Sequence, residues 1–118
     1  MRTDCALNII LIGMPGAGKS TVGVLLAKRL GYQFIDTDLL LQTRQQCRLQ
    51  EIIARVGLKA FKTLEADLLC NLEATHSVIA TGGSAVYSDR AMISLKKLGQ
   101  LVFIDLSLIH ISEPTRPY

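Results

Sequence analysis

The sequence predicts an α/β fold in which helices cover both faces of a parallel sheet. Short apolar runs alternate with segments whose apolar residues recur at helical spacing, which is the pattern of strands joined by crossover helices. Glycines follow several of the helical segments, as is usual where a helix ends. The chain has 118 residues, 49% of them hydrophobic, which is enough for one small domain and argues against disorder.

The predicted elements follow one another as strand, helix and strand from residue 8 onward. Residues 8–13 form an Ile-rich apolar run that ends at a glycine, and residues 20–30 carry apolar side chains at helical spacing. Residues 32–36 form a second short strand. Helices are then expected over residues 39–46, 49–56 and 58–73, the last with an apolar face made of Phe61, Leu64, Leu68 and Leu72.

The remaining part of the pattern contains two more strands and one more helix. Residues 77–81 form a strand that stops at a glycine pair, residues 89–98 form a helix, and residues 101–105 form a strand. Residues 106–118 break the alternation, since two of the last five residues are prolines. This segment resembles the translation of a sequencing adapter, so we expect residues 1–105 to be a partial domain and residues 106–118 a non-native tail.

Several classes of function are disfavoured by composition. The sequence contains no long apolar run and no signal-peptide pattern, so we expect a cytoplasmic protein without a membrane partner. Three cysteines without metal or disulfide spacing are expected to be reduced and mostly buried. The net charge of +3 is spread along the chain, which disfavours nucleic-acid binding. We expect a monomer, with His76 and His110 as surface residues.

A phosphate-binding loop lies between the first strand and the first helix. The segment GMPGAGKST matches GxxxxGK[ST] in the structural context that this motif requires. Glycines let backbone N–H groups surround a phosphate, while the lysine reaches the β- and γ-phosphates and the hydroxyl binds Mg²⁺. The predicted nucleotide-binding residues are Gly13, Gly16, Ala17, Gly18, Lys19, Ser20 and Thr21.

A carboxylate pair follows the second strand. Ligands of open α/β sheets bind at the carboxyl ends of the strands, so Asp36 and Asp38 are expected beside the phosphates. We expect the two carboxylates to point in different directions, with one holding metal through water and the other orienting a hydroxyl. The alternative for Asp38 is a helix N-cap. Asp105, at the end of the last strand, is a weaker candidate for a metal role.

Two further features are ambiguous when considered alone. Gly82 and Gly83 offer a close backbone approach to a ligand, but a glycine pair is more often a plain turn. Lys62 and Glu65, three residues apart on a helix, would ordinarily be a solvent-exposed ion pair of small energetic value.

Taken together, the segments GMPGAGKST, FIDTD, AFKTLE and IATGGSAV resemble the shikimate kinases over residues 8–105. The resemblance implies a three-layer P-loop kinase fold with strand order 2-3-1-4 and transfer of the ATP γ-phosphoryl group to shikimate, a step of aromatic amino acid biosynthesis. It implies ATP and Mg²⁺ as cofactors, Ser20 and Asp36 as metal residues, and Lys19 and Asp38 as catalytic residues. Shikimate would be bound by Asp38, Lys62, Gly82 and Gly83, with Glu65 supporting Lys62.

Two residues depart from the family pattern. Lys62 stands where the family has arginine, so the charge is kept but the planar bidentate grip on a carboxylate is lost. Ser84 stands where the family has a third glycine. Another small-metabolite kinase, of the gluconate type, and a non-catalytic nucleotide-binding module therefore remain alternatives. The family's lid arginines and last strand would follow residue 105, so we expect the 118-residue chain to be inactive by itself.

Overall fold

The computed structural model describes residues 8–13 and 18–104. The strands are β1 (Ile9–Gly13), β2 (Gln33–Asp36), β3 (Ser77–Ala80) and β4 (Gln100–Ile104). The helices are α1 (Lys19–Leu30), α2 (Thr37–Gln45), α3 (Leu49–Val56), α4 (Leu58–Cys70) and α5 (Asp89–Leu98), with a single 3₁₀ turn at Ala85–Tyr87. Predictions that concern Cys5, Gly16, Ala17, Asp105, His110 and the tail at 106–118 lie outside the described residues.

The four strands form a parallel sheet in the order β2-β3-β1-β4, as predicted. In its register Ile10 of β1 lies opposite Ile79 of β3 on one side and Leu101 of β4 on the other. All four residues of β3 are buried, whereas β2 and β4 at the two sides of the sheet are more exposed. Continuous apolar runs therefore occupy the centre of the sheet, as expected for strands covered on both faces.

Alternating side chains of β1 and β3 divide the core into two layers of contacts. Ile10 and Ile79 face α4 and α5, where they pack with Leu69 and Leu95. Their neighbours Leu11 and Val78 face the opposite side and pack with residues of α1 such as Ala27. Since successive strand residues point to opposite faces, the sheet is sandwiched between helices on both sides, which confirms the three-layer prediction.

A third apolar cluster joins α2, α3 and α4 at one side of the sandwich. Its buried members are Leu41, Ile52, Phe61 and Leu68. Phe61 and Leu68 belong to the predicted apolar face of α4. Leu72 packs instead against the layer that contains Ile10, Ile79 and Leu95. This cluster holds α2 against α4, which matters below because both helices contribute to the functional site.

The ends of two helices differ from the prediction. Helix α2 begins at Thr37 instead of residue 39, because the Asp36 side chain accepts hydrogen bonds from the backbone N–H groups of Asp38 and Leu39 and caps the helix. Helix α4 ends at Cys70 instead of residue 73. The 3₁₀ turn at Ala85–Tyr87 was not predicted.

Exposed and half-buried positions agree only in part with the sequence analysis. His76 is exposed, as predicted, and its ring packs edge-on against Tyr32 with centroids 5.5 Å apart. Cys47 and Cys70 are free thiols, as predicted, but both are half-buried and not enclosed in the core. Within the described ranges no helix has the length and apolar character needed to cross a membrane.

Helix α5 begins with a serine cap, which gives a stability prediction. The Ser88 hydroxyl accepts a hydrogen bond of 3.2 Å from the Ala91 N–H. We expect Ser88→Ala to lower the free energy of unfolding by about 1 kcal/mol, since an N-cap side chain satisfies an otherwise unpartnered N–H group. Ser88→Thr keeps the acceptor and should lose less. Urea unfolding measures both, and equal losses would contradict the capping role.

Candidate functional site

A cavity of about 340 Å³ opens where the carboxyl ends of the strands meet the start of α1. Strands β2 and β3 each continue directly into residues that line it, as the general rule for open parallel sheets requires. The lining residues are Gly18, Lys19, Ser20, Thr21, Asp36, Asp38, Thr81, Gly82 and Gly83. Most of the site residues predicted from the sequence thus meet in one place.

The nucleotide side of the cavity is built by the start of α1. Gly18 takes a left-handed conformation with φ of 83° directly before the helix, a conformation that glycine adopts without steric cost. The first-turn N–H groups of a helix have no partners within the helix, and α1 carries no acidic side chain in that turn. The helix start is therefore suited to an anion.

Lys19 is held close to the loop. Its side chain is buried, and Nζ donates a 3.1 Å hydrogen bond to the carbonyl of Gly13 at the end of β1. Burial lowers the pKa of Lys19 from its ordinary value of 10.5, while the charges of Asp38 and Asp36 act in the opposite direction. The ammonium group thus lies at the end of β1 and is attracted by both carboxylates.

Asp36 uses both carboxylate oxygens. Oδ1 accepts the two backbone N–H groups that begin α2, and Oδ2 accepts a 3.2 Å hydrogen bond from the Ser20 hydroxyl. The N-cap role that was the alternative for Asp38 therefore belongs to Asp36. The link to Ser20 joins β2 to α1 across the floor of the cavity.

Asp38 lies in the first turn of α2, and its carboxylate is directed toward Gly82. Its Oδ1 contacts Gly82, so closely that a Cβ atom at Gly82 would come within 2.7 Å of it. Burial raises the pKa of Asp38, the charge of Asp36 raises it further, and Lys19 lowers it. Residues two apart on a strand share a face, so an extended segment would not have separated the two carboxylates. They separate because β2 ends at Asp36 and α2 begins at the next residue.

Glu65 of α4 reaches the same glycine from the other side. The Glu65 carboxylate is buried, one oxygen lies against Gly82, and the other accepts a hydrogen bond from the Ser84 hydroxyl. The alternative of a solvent-exposed pair between Lys62 and Glu65 therefore does not hold: Lys62 is exposed, but Glu65 is buried where α4 packs against the Gly82–Ser84 turn. The predicted support of Lys62 by Glu65 remains a prediction. A side chain at position 82 would push aside the ends of two acidic side chains, because the carboxylates of Glu65 and Asp38 converge on its Cα.

Burial also sets the pKa of Glu65. Desolvation raises this pKa above the ordinary value of 4.5, the Ser84 hydrogen bond lowers it, the charge of Asp38 raises it and Lys62 lowers it. The two acidic groups that meet at Gly82 therefore both hold protons more tightly than exposed carboxyls do.

Lys62 does not lie with the other predicted acceptor residues. It lines a neighbouring cavity of about 290 Å³ between α4, the 3₁₀ turn and α5, together with Glu65 and Ser84. Gly82 and Gly83 line the first cavity and Ser84 lines the second, so the turn they form separates the two. The predicted set of Asp38, Lys62, Gly82 and Gly83 is thus divided between adjoining cavities.

Two threonines at the site were not predicted. Thr81 Oγ1 donates a 3.0 Å hydrogen bond to the Leu11 carbonyl, and Thr37 Oγ1 donates a 3.3 Å bond to the Ala80 carbonyl. Both are buried. These bonds connect the end of β3 to β1 and to the start of α2. They therefore hold the backbone that carries Asp36 and Asp38 in position. No local sequence motif marks these contacts, because they join residues far apart in the chain.

The donors that could hold a cation are few. Ser20 and Asp36 present a hydroxyl and a carboxylate side by side. Across the described ranges no group of three or more His, Cys, Asp or Glu side chains could form a metal site. This donor set fits Mg²⁺ bound together with a nucleotide, because Mg²⁺ keeps several waters and takes few protein ligands when phosphates are present.

The raised pKa of Glu65 gives a pH prediction. The folded protein keeps this proton at a pH where the unfolded chain has lost it, so the free energy of unfolding falls as pH rises from about 4.5 through the raised pKa. Glu65→Gln should flatten this fall and be more stable than wild type near neutral pH. Asp38 contributes in the same sense, so some slope remains. Urea unfolding over this range tests the prediction, with the exposed Glu73→Gln as control; equal slopes in all three proteins would contradict it.

Three features together define the class of P-loop nucleotide-binding proteins of kinase type. They are the parallel sheet, the glycine and lysine at the start of α1, and the two carboxylates where β2 passes into α2. The shikimate kinase family model matches residues 15–116, and this chain belongs to the shikimate kinase family. Shikimate kinase 2 of Yersinia enterocolitica is 39% identical over 106 residues, covering 90% of this chain and 61% of the relative.

Solved structures agree with this assignment. Shikimate kinase of Acinetobacter baumannii in complex with shikimate superposes with a TM-score of 0.80 and 34% identity over 86% of this chain and 57% of that one. A gluconokinase of Sinorhizobium meliloti has a TM-score of 0.53 and 19% identity over 98% of this chain and 70% of that one, which shows a shared fold only. The chain spans about 61% of the length of the Yersinia relative.

Proposed function

We propose that this chain carries the nucleotide site and part of the acceptor site of an enzyme that transfers the γ-phosphoryl group of ATP to a hydroxyl of shikimate. The observation that carries the proposal is the meeting of Lys19, Asp36 and Asp38 in one cavity, in a chain of the shikimate kinase family. The relative of known structure that binds shikimate supports the choice of acceptor.

The nucleotide would lie with its phosphates at the start of α1. Lys19, already directed toward the loop by its bond to Gly13, would neutralise charge on the β- and γ-phosphates. The N–H groups at the start of the helix, beginning after Gly18, would add donors for phosphate oxygens. Thr21 lines the cavity beside them.

Mg²⁺ would be held by Ser20 and, through water, by Asp36. When bound, it would supply positive charge to the phosphate oxygens of the nucleotide. The hydrogen bond between Ser20 and Asp36 keeps both donors on the same side of the cavity. The capping bonds to α2 fix the Asp36 side chain in one orientation. Its carboxylate lines the cavity in that orientation, so Mg²⁺ binding would not need to order it.

The acceptor hydroxyl would be oriented by Asp38. Its carboxylate lies in the same cavity as Lys19, with Gly82 and Gly83 as the adjoining backbone. The raised pKa of Asp38 makes it a better proton acceptor for an attacking hydroxyl than an exposed aspartate would be. Catalysis of this kind depends mainly on positioning the two substrates and on electrostatic stabilisation.

Lys62 would attract the carboxylate of shikimate from the edge of the neighbouring cavity. Its exposed side chain is long and flexible, and the turn that separates the two cavities is only three residues wide. An acceptor that contacts both Asp38 and Lys62 would therefore lie over the Gly82–Ser84 turn. The predicted monomeric state and cytoplasmic location remain predictions.

Calorimetric titration of the 118-residue chain tests this proposal. We expect Mg–ATP to bind, and shikimate to bind to the nucleotide-loaded chain with higher affinity than gluconate. Binding of gluconate in preference to shikimate would favour a gluconate-type kinase. Binding of Mg–ATP with neither acid would favour a nucleotide-binding module and contradict the proposed acceptor.

A further inference from the structure

A hydrogen bond from Ser84 to Glu65 joins the turn at residues 82–84 to helix α4. Glu65 is 4% exposed, and a buried carboxylate is costly unless hydrogen-bond donors compensate for lost hydration. Ser84 donates to one carboxylate oxygen. The other oxygen lies against Gly82, where Oδ1 of Asp38 also lies.

The position of Glu65 affects two other charged groups. Asp38 approaches from α2 and repels Glu65, while Lys62, one turn earlier on α4, attracts it. A lysine presents a single flexible charge that cannot fix the orientation of a carboxylate, whereas a hydroxyl on a short side chain can. Ser84 is the last residue of the turn at residues 82–84 and lines the second cavity, while Gly82 and Gly83 line the first.

We infer that Ser84 is a positioning residue of the acceptor site, whose hydroxyl holds the Glu65 carboxylate over Gly82 and thereby fixes the position of the charge that acts on Asp38 and Lys62. The inference rests on the proposed function, which makes Asp38 and Lys62 the groups that meet the acceptor. Ser84 would affect acceptor binding through its hydrogen bond to Glu65, without contacting the acceptor.

Loss of the hydroxyl would leave the Glu65 oxygen without this donor. The carboxylate would then rotate toward Lys62 or take up a proton, and in both cases the charge facing Asp38 would change. Ser84 and Glu65 line the second cavity, whereas Lys19 and Ser20 line the first, so the effect should be confined to the acceptor.

The first test compares Ser84→Ala, Ser84→Thr and Ser88→Ala by calorimetry with shikimate and with Mg–ATP. We expect Ser84→Ala to weaken shikimate binding by roughly threefold to tenfold, the scale of one hydrogen bond to a charged group acting indirectly, and to leave Mg–ATP binding unchanged. Ser84→Thr keeps the hydroxyl and should restore binding. Ser88 lines the second cavity without bonding to Glu65, so Ser88→Ala controls for general destabilisation.

The second test needs no acceptor. In the ligand-free chain, the titration of the Glu65 side-chain carboxyl is followed by ¹³C NMR. Removal of the Ser84 hydroxyl should raise the titration midpoint, because the bond favours the charged form, and threonine should restore it. Asp38 from α2 and Lys62 from α4 face Glu65 and are unchanged in both variants.

The two tests separate the inference from the proposed function. If the wild-type chain binds Mg–ATP but no shikimate, the proposed acceptor is wrong, and the NMR titration still decides whether Ser84 holds Glu65. If the midpoint is the same in wild type and Ser84→Ala, or if threonine behaves like alanine in both measurements, the positioning role of Ser84 is overturned. Weaker Mg–ATP binding in Ser84→Ala would overturn it as well.

Discussion

Replacement of Lys19 by alanine should lower the affinity for Mg–ATP by about tenfold or more, a loss of at least roughly 1.4 kcal/mol. Lys19 is the buried cation at the phosphate loop, and its Nζ is fixed by the Gly13 carbonyl. Alanine removes the charge that would face the β- and γ-phosphates. It also removes a charge that partly offsets the repulsion between Asp36 and Asp38. Calorimetry with Mg–ATP measures the loss.

Lys28 provides the matched control for this experiment. It lies on the same helix, is exposed, and is in the last turn of α1, far from the cavity. Lys28→Ala changes the net charge by the same amount and should leave Mg–ATP affinity within about a factor of two. If Lys19→Ala and Lys28→Ala bind Mg–ATP alike, the assignment of the phosphate loop is wrong.

Replacement of Asp38 by asparagine should have the other large effect, and it should fall on the acceptor. Asparagine has the same shape as aspartate but lacks its negative charge. The charged carboxylate would accept a hydrogen bond from the shikimate hydroxyl more strongly than an amide does. A hydrogen bond to a charged group contributes about 1.5–3 kcal/mol, so shikimate affinity should fall roughly tenfold to a hundredfold. In a longer, active version that carries the same site, phosphoryl transfer should fall with it, because the hydroxyl would no longer be oriented for attack. Mg–ATP affinity should stay near that of wild type.

Two comparisons make this result specific. Asp89→Asn removes an exposed carboxylate in the first turn of α5 and should leave shikimate binding unchanged. Asp36→Asn disturbs the cap of α2 and the bond to Ser20, so it should weaken Mg–ATP binding more than Asp38→Asn does. Full shikimate affinity in Asp38→Asn would show that another group orients the hydroxyl.

The fold could be predicted from sequence because its signals are local. The apolar run that ends at Gly13 predicts β1, and Gly31 predicts the end of helix α1. The alternation of strands and helices implies a parallel sheet. The helix boundary at Thr37 was missed because it depends on a side chain: Asp36 caps the helix two residues earlier than the first apolar residue suggested.

The site could be predicted only where its residues lie in one motif. Lys19, Ser20 and the pair Asp36 and Asp38 occur at motif spacing, and the structure brings them together. Burial of Glu65 could not be predicted, since it results from packing of α4 against a turn that follows nineteen residues later. The separation of Lys62 from the first cavity has the same origin, because it depends on how α4 is rotated against the sheet.

Amide NMR of the nucleotide-loaded chain during titration with shikimate tests the central claim most directly, because it reports both binding and location. The account predicts that the signals of Asp38, Gly82 and Gly83 shift in a saturable way, with smaller shifts at Ser84 and Lys62. Signals at the far end of α1, around Lys28, should not move. Absence of saturable shifts, or shifts confined to residues away from the Gly82–Ser84 turn, would contradict the proposal that shikimate is bound beside Asp38.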